Sequence, residues 1–147
     1  MSDLRELYQS VILDHGRHPR NHGEMPEANC QQEGFNPLCG DHLFLYAEKS
    51  NNHLKKISFT GKGCAISMAS ASLMTECLHN KSIIDAKKIF EDFHALITEG
   101  TTSDSLGKLA IFAGVREFPA RVKCATLAWH TLLAMLSHES KVVSTEA

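Results

Sequence analysis

The chain has 147 residues, 43% of them hydrophobic, a size that suits one domain around one core (residues 1–147) and is short for two. With 15 Lys and Arg against 17 Asp and Glu, the formal net charge is -2 and the signs are mixed along the chain, which leaves no basic footprint for nucleic acid or for an anionic membrane surface. No apolar run approaches the ~18 residues of a membrane span, the first residues lack the basic-then-apolar order of a secretory signal, and the 5 irregularly spaced cysteines read as reduced thiols, so a soluble cytoplasmic protein is expected.

Asp3 can cap a first helix whose apolar residues Leu4, Leu7, Tyr8, Val11 and Ile12 recur at helical spacing, and the pattern predicts its end near Asp14. The following His15-Gly16-Arg17-His18-Pro19-Arg20-Asn21-His22-Gly23 is rich in breakers and cations and reads as an exposed basic loop, with its three histidines at no zinc-binding spacing. A short strand fits residues 29–34. Residues 41–49 alternate in polarity, Ser50-Asn51-Asn52 turns the chain, and residues 53–60 return as an antiparallel partner.

Residues 65–78, rich in Ala, Met, Ser and Leu without Pro or Gly, predict a helix with residues 68–74 in the core. Ser82-Ile83-Ile84-Asp85 opens another that runs through Ile97. Ser103 can cap a short helix over Leu106, Leu109, Ala110 and Phe112 that Gly114 stops. Phe118-Pro119 then opens the last helix, with one apolar stripe of Val122, Ala125, Trp129, Leu132 and Leu136 and a polar, frayed tail at residues 141–147. Strands first and helices afterwards predict an α+β fold, a small antiparallel sheet of about three strands packed against several helices.

The chemistry lies in three distant segments that each present a cysteine: Asn36-Pro37-Leu38-Cys39-Gly40-Asp41, Gly61-Lys62-Gly63-Cys64-Ala65-Ile66-Ser67 and Arg121-Val122-Lys123-Cys124-Ala125. Brought together, they supply three thiolates and a carboxylate, a complete tetrahedral set of the kind that suits zinc or an iron-sulfur cluster. In extended backbone Cys39 and Asp41 can face one ion while Leu38 and His42 face elsewhere, and Gly40 permits a tight bend. Cys64 sits at a strand-to-helix junction, and Cys124 lies in the first turns of the last helix beside Arg121 and Lys123. Helix N-termini and cations both favour thiolate there. Asp41 is a harder and more replaceable ligand than a fourth cysteine, so the site reads as one built to open. Cys30 and Cys77 lack such surroundings and read as small core residues, and His130 as a packing residue. Lys62 and Lys123 read equally as solvated charges or as groups that serve the site.

In this order the motifs resemble the IscU/SufU/NifU-N family of iron-sulfur cluster assembly proteins. The likeness begins in Tyr8 through Gly23, with Val11-Ile12-Leu13-Asp14-His15 and Pro19-Arg20-Asn21. It continues through the three cysteine segments, the second followed by Ala69-Ser70-Ala71-Ser72 and the third by Leu127-Ala128-Trp129. The SufU-type members are the most similar. Lys123 stands where scaffold-type IscU proteins carry a histidine, Phe118-Pro119-Ala120-Arg121-Val122-Lys123 replaces their chaperone-read Leu-Pro-Pro-Val-Lys segment, and residues 98–118 fit a SufU insertion.

The resemblance implies a SufE/NifU-like sandwich that binds zinc through Cys39, Asp41, Cys64 and Cys124. It further implies that Cys39 leaves the zinc to accept persulfide sulfur from a SufS-type, pyridoxal-phosphate-dependent cysteine desulfurase, and that the sulfur passes to a downstream iron-sulfur assembly scaffold. Arg121 and Lys123 would then support the site, and Arg17 and Arg20 would face the desulfurase. Such a chain is a sulfurtransferase-type carrier. Two other readings use the same four residues: an IscU-like scaffold that holds a transient [2Fe-2S] cluster, and a binding module with a closed, structural zinc.

Overall fold

The computed structural model describes residues 2–37, 40–137 and 143–144. Helix α1 (Ser2–Arg17) leads into strands β1 (Cys30–Asn36), β2 (Asp41–Ser50) and β3 (His53–Lys62). Helix α2 (Ala65–Leu78), strand β4 (Lys81–Ser82), helix α3 (Ile83–Glu99), a 3-10 segment (Asp104–Glu117), helix α4 (Pro119–Leu136) and strand β5 (Val143–Ser144) follow. The sheet has the order β4-β3-β2-β1-β5, antiparallel throughout except for the parallel β1–β5 pair. The α+β class is as expected, and the two additional strands are two-residue edge pieces. The expected frayed tail lies outside the described residues except at Val143 and Ser144, which pair with Gly34 and Phe35 of β1.

The hairpin β2–β3 closes through Asn51 and Asn52 at φ 51° and 62°, the left-handed pair that a two-residue turn between twisted strands needs and that asparagine tolerates. Alternation along these strands sends Leu43, Leu45, Ala47, Ile57 and Phe59 to one face, all buried against the helices. That face and its alternation fix the register, since a one-residue slip would carry this whole apolar set into solvent.

Helix α2 packs against α1, α4 and β3, which explains its small residues: Ala69, Ser70, Ala71 and Ser72 are all fully buried and let neighbouring backbones approach. Helix α4 is likewise buried on most sides, from Cys124 through Trp129 and again at Thr131 and Leu132, so the single apolar stripe expected of it understates its burial. Trp129 stacks on Phe93 at a centroid distance of 4.6 Å, and its indole N–H donates to Ser70 Oγ at 3.1 Å. Ser70 donates its own proton to the Ala125 carbonyl at 2.6 Å, so the Trp129 indole and the Ser70 hydroxyl are both satisfied without water.

Two boundaries differ from expectation. Helix α1 continues past Asp14 to Arg17 because its last turn is held from outside. His15, 3% exposed, lies with Nδ1 2.7 Å from Ser72 Oγ, and Gly16 sits so close to α2 that an added Cβ would meet Ala65 Cβ at 3.1 Å. His15 is thus a buried helical residue and not part of a solvated loop. The basic loop itself is anchored: Arg20 N–H donates to Ser72 Oγ, and the Asn21 carbonyl accepts from Phe59 N–H. The 3-10 segment also passes through Gly114, bending instead at Gly107 (φ 50°, ψ -123°) and ending before Pro119. Its Leu106, Leu109, Phe112 and Val115 are buried, with Phe112 edge-on to Phe93 at 5.7 Å, so residues 98–118 add an ordered layer to the core.

Candidate metal centre

The site is assembled by the β2–β3 hairpin and the two buried helices. Asp41 opens β2 on the inner face and is fully buried, whereas His42 faces outward, bonds to Glu33 and lies among Phe35 and Phe44. Across the hairpin, His42 pairs with Lys62, so the two residues after β3, Gly63 and Cys64, arrive beside Asp41. Asn36 pairs with Asp41 across β1 and β2, and the turn between them is closed by Gly40 N–H donating to the Asn36 carbonyl at 2.8 Å, with Gly40 at φ 75°. Cys39 lies outside the described residues.

Cys64 is the N-cap of α2, with extended backbone (φ -68°, ψ 165°) and its Sγ accepting from Ser67 N–H at 3.4 Å. A thiol in that position receives the partial positive charge of the helix start, as expected. Its own N–H donates to Asp41 Oδ1 at 2.7 Å, and its Sγ lies 3.6 Å from Asp41 Oδ2. Cys124, 5% exposed, projects from the second turn of α4, which packs against both α2 and β1.

One ligand atom each of Asp41, Cys64 and Cys124 lies within 4.8 Å of the other two. Around a tetrahedral ion with metal–sulfur bonds of about 2.3 Å, ligand atoms stand roughly 3.7 Å apart, so a contraction of about 1 Å or less would bring these three onto one ion. The donor set is soft sulfur with one hard oxygen, which fits zinc.

Three of the four expected ligands are therefore adjacent. Asp41 and Cys124 are buried and Cys64 is exposed, so the group opens on one side only. That side is a cleft of about 740 Å³ between Ile12 and Leu13 of α1, Ile66 of α2, and Ala120 and Arg121 of α4, with Asn36 and the two cysteines at its base. Leu13 is 44% exposed on the rim. Arg121 lines the cleft and lies over the Phe118 ring at 4.6 Å, while Lys123 is half-buried beside Cys124. Of the two proposed docking cations, Arg17 is exposed, whereas Arg20 pairs with Asp14 at 2.7 Å and bonds to the His18 carbonyl at 3.0 Å.

Cys30 and Cys77 are half-buried against the core, and burial pushes the Cys77 thiol pKa up, consistent with inert packing residues. The sequence reading missed the α1 wall of the cleft. Ile12 reads only as part of the helix's apolar stripe and Leu13 falls outside it, although an apolar residue just beyond such a stripe is a signal of a second apolar surface.

Together the fold and the site define an α+β domain with a candidate thiolate–carboxylate metal centre at the floor of an open cleft. Comparison with known proteins places it more closely: residues 7–125 match the NifU-like N-terminal domain, and the chain belongs to that family. Over 133 residues it is 38% identical to the zinc-dependent sulfurtransferase SufU of Bacillus subtilis (strain 168), covering 89% of this chain and 90% of that protein. Over 134 residues it is 37% identical to the iron-sulfur cluster assembly scaffold protein IscU of Streptococcus pyogenes serotype M1, covering 90% and 84%. Among solved structures, a SUF-system iron-sulfur cluster assembly scaffold protein from Fervidobacterium islandicum AW-1 superposes with a TM-score of 0.81 at 33% identity, covering 86% of this chain and 93% of that one. These relatives are named for iron-sulfur cluster assembly or for zinc-dependent sulfur transfer. None of the described helices is long and apolar enough to cross a membrane.

Proposed function

We propose that the protein is a zinc-dependent sulfur acceptor of the SufU type, working beside a SufS-type cysteine desulfurase in iron-sulfur cluster biogenesis. The observation that carries this reading is the grouping of Asp41, Cys64 and Cys124 within 4.8 Å, with the two cysteines lining a cleft of about 740 Å³. The four holding residues are Cys39, Asp41, Cys64 and Cys124. Bound there, zinc supplies a redox-inert Lewis acid that keeps its cysteine ligands deprotonated at neutral pH.

Cys39, which falls in sequence between β1 and β2, is the proposed acceptor because Cys64 and Cys124 are each tied to a helix. The Cys39 thiolate attacks the outer sulfur of the desulfurase persulfide. One S–S bond forms on Cys39 as the partner's S–S bond breaks, and the partner cysteine leaves as a thiolate. Arg121, on the cleft wall, and Lys123, beside Cys124, add positive charge that stabilises the anionic sulfur at either stage. A protonated lysine at position 123 cannot ligate iron, and this favours carrier over scaffold.

The test is the rate at which a SufS-type desulfurase consumes free cysteine, measured with and without the zinc-loaded protein. The carrier reading expects a several-fold acceleration. No acceleration, together with a stable reconstituted [2Fe-2S] cluster that transfers intact to an apo-ferredoxin, would restore the scaffold reading.

A further inference from the structure

The two glycines of Gly61-Lys62-Gly63-Cys64 are required for different reasons. Gly61 has φ 140°, and a Cβ there would meet the His42 carbonyl oxygen at 2.1 Å and Leu43 Cα at 2.8 Å, so its demand comes from the backbone of the hairpin. Gly63 is not among the positive-φ glycines, and any residue could adopt its backbone. The three nearest atoms that a Cβ at Gly63 would meet all belong to Asp41: Oδ1 at 2.6 Å, Cγ at 3.0 Å and Cβ at 3.2 Å. The nearest obstacle is therefore the candidate ligand itself.

The same carboxylate oxygen is already engaged. Asp41 Oδ1 accepts from Cys64 N–H at 2.7 Å, while Oδ2 is the oxygen near Cys64 Sγ, at 3.6 Å. Asp41 is fully buried, and the Cys64 N–H fixes which of its oxygens is engaged.

We propose that Gly63 is a positioning residue: its missing side chain makes the space in which Asp41 docks Oδ1 on the Cys64 N–H, so that the carboxylate presents Oδ2 alone to the metal. A carboxylate held this way offers one oxygen and not two, and its other oxygen stays bonded to the chain when an incoming ligand displaces it. The replaceable fourth ligand is thus kept in place beside the site, ready to return. This inference rests on the metal-site reading above and adds a role for a residue that touches no metal.

The relief open to a Gly63→Ala chain is rotation of Asp41, since the three nearest atoms all belong to Asp41 and its carboxylate is the movable part. The experiment compares wild type, Gly63→Ala, Asp41→Ala and the Asp41→Ala/Gly63→Ala double variant in two ways: by the visible spectrum after loading with cobalt(II), and by the melting temperature of each metal-free chain. In the Gly63→Ala protein the cobalt ligand-field bands are expected to leave the wild-type position and follow those of Asp41→Ala. In the metal-free state Gly63→Ala is expected to lower Tm by about 3 °C where Asp41 is present and by only about 1 °C where the Asp41→Ala change has removed the two nearest atoms and left Cβ at 3.2 Å.

A Gly63→Ala chain that fails to fold while the double variant folds would support the same coupling. A wild-type cobalt spectrum for Gly63→Ala, an equal loss of Tm in both backgrounds, or failure of both Gly63 variants to fold would overturn it. A wild-type protein that takes up no cobalt would sink the metal-site reading and this inference together, whereas a normal wild-type spectrum shared by Gly63→Ala would sink only the latter.

Discussion

Ser72 Oγ accepts the Arg20 backbone N–H at 2.8 Å and lies 2.7 Å from His15 Nδ1, so one hydroxyl ties the end of α1 and the following loop to α2. The His15 Nε2 lies 3.8 Å from Glu76 Oε1. Burial lowers the His15 pKa below its ordinary 6.5, and the nearby Arg20 cation adds to the shift, outweighing Glu76 and Asp14. A depressed histidine pKa means that the unfolded chain binds more protons just below 6.5, so this contribution to stability is complete above about pH 6.5 and is lost as pH falls below it. Chemical denaturation at pH 7.5 and pH 5.5 should show a smaller loss of stability on acidification for His15→Gln than for the wild type. An equal loss would show that His15 does not couple folding to pH.

Ser70 and Trp129 supply a second stability test. Ser70→Ala leaves the buried indole N–H without its acceptor and should cost about 1–3 kcal/mol, whereas Trp129→Ala removes the largest ring of the core and should cost roughly 3–5 kcal/mol. Urea unfolding followed by circular dichroism measures both. A Ser70→Ala cost indistinguishable from zero would contradict the claim that this bond is satisfied without water.

Much of this was legible from local pattern. Alternation along residues 41–60 marked the hairpin, the Pro- and Gly-free run marked α2 with both ends, and Ser82 caps α3 by accepting from Asp85 N–H at 3.0 Å. Glycine and cation neighbours set Cys64 and Cys124 apart from Cys30 and Cys77, and Asp41 stood out because it follows Cys39-Gly40. What stayed illegible depends on contacts far apart in sequence. His15 looks like one more loop histidine until Ser72, 57 residues away, is placed against it, and nothing near Gly63 reveals that its neighbour in space is Asp41. Gly107, and not Gly114, bends the 3-10 segment because buried Phe112 and Val115 hold the chain helical through the second glycine.

Asp41→Ala and Cys64→Ser should separate as metal sites. Loss of the carboxylate removes the least covalent ligand and admits water, so zinc is expected to remain within about tenfold of its wild-type affinity while sulfur acceptance falls. Loss of the Cys64 thiolate should weaken binding beyond the roughly 10–100-fold that follows loss of an outer-shell partner. Competition with a chromophoric chelator gives both constants. Equal zinc loss in the two variants would argue against an exchangeable carboxylate.

Arg17 carries the electrostatic prediction, because Arg20 is already committed to Asp14 and the His18 carbonyl. Arg17→Glu should raise the protein concentration needed for half-maximal desulfurase stimulation, most strongly at low salt, with zinc content unchanged. Arg20→Glu should in addition lower thermal stability, since it places like charge beside Asp14. Identical titration curves for Arg17→Glu and wild type at low ionic strength would move the docking surface away from the end of α1.

The central claim is that sulfur passes through Cys39 of a zinc-bound chain, and peptide mass spectrometry tests it most directly. The zinc-loaded protein is incubated with a SufS-type desulfurase and free cysteine, separated, alkylated and digested. An added sulfur atom on the peptide that contains Cys39, absent from a Cys39→Ser chain, is the predicted result. An added sulfur only on the Cys64 or Cys124 peptide, or on none while desulfurase turnover is accelerated, would contradict it.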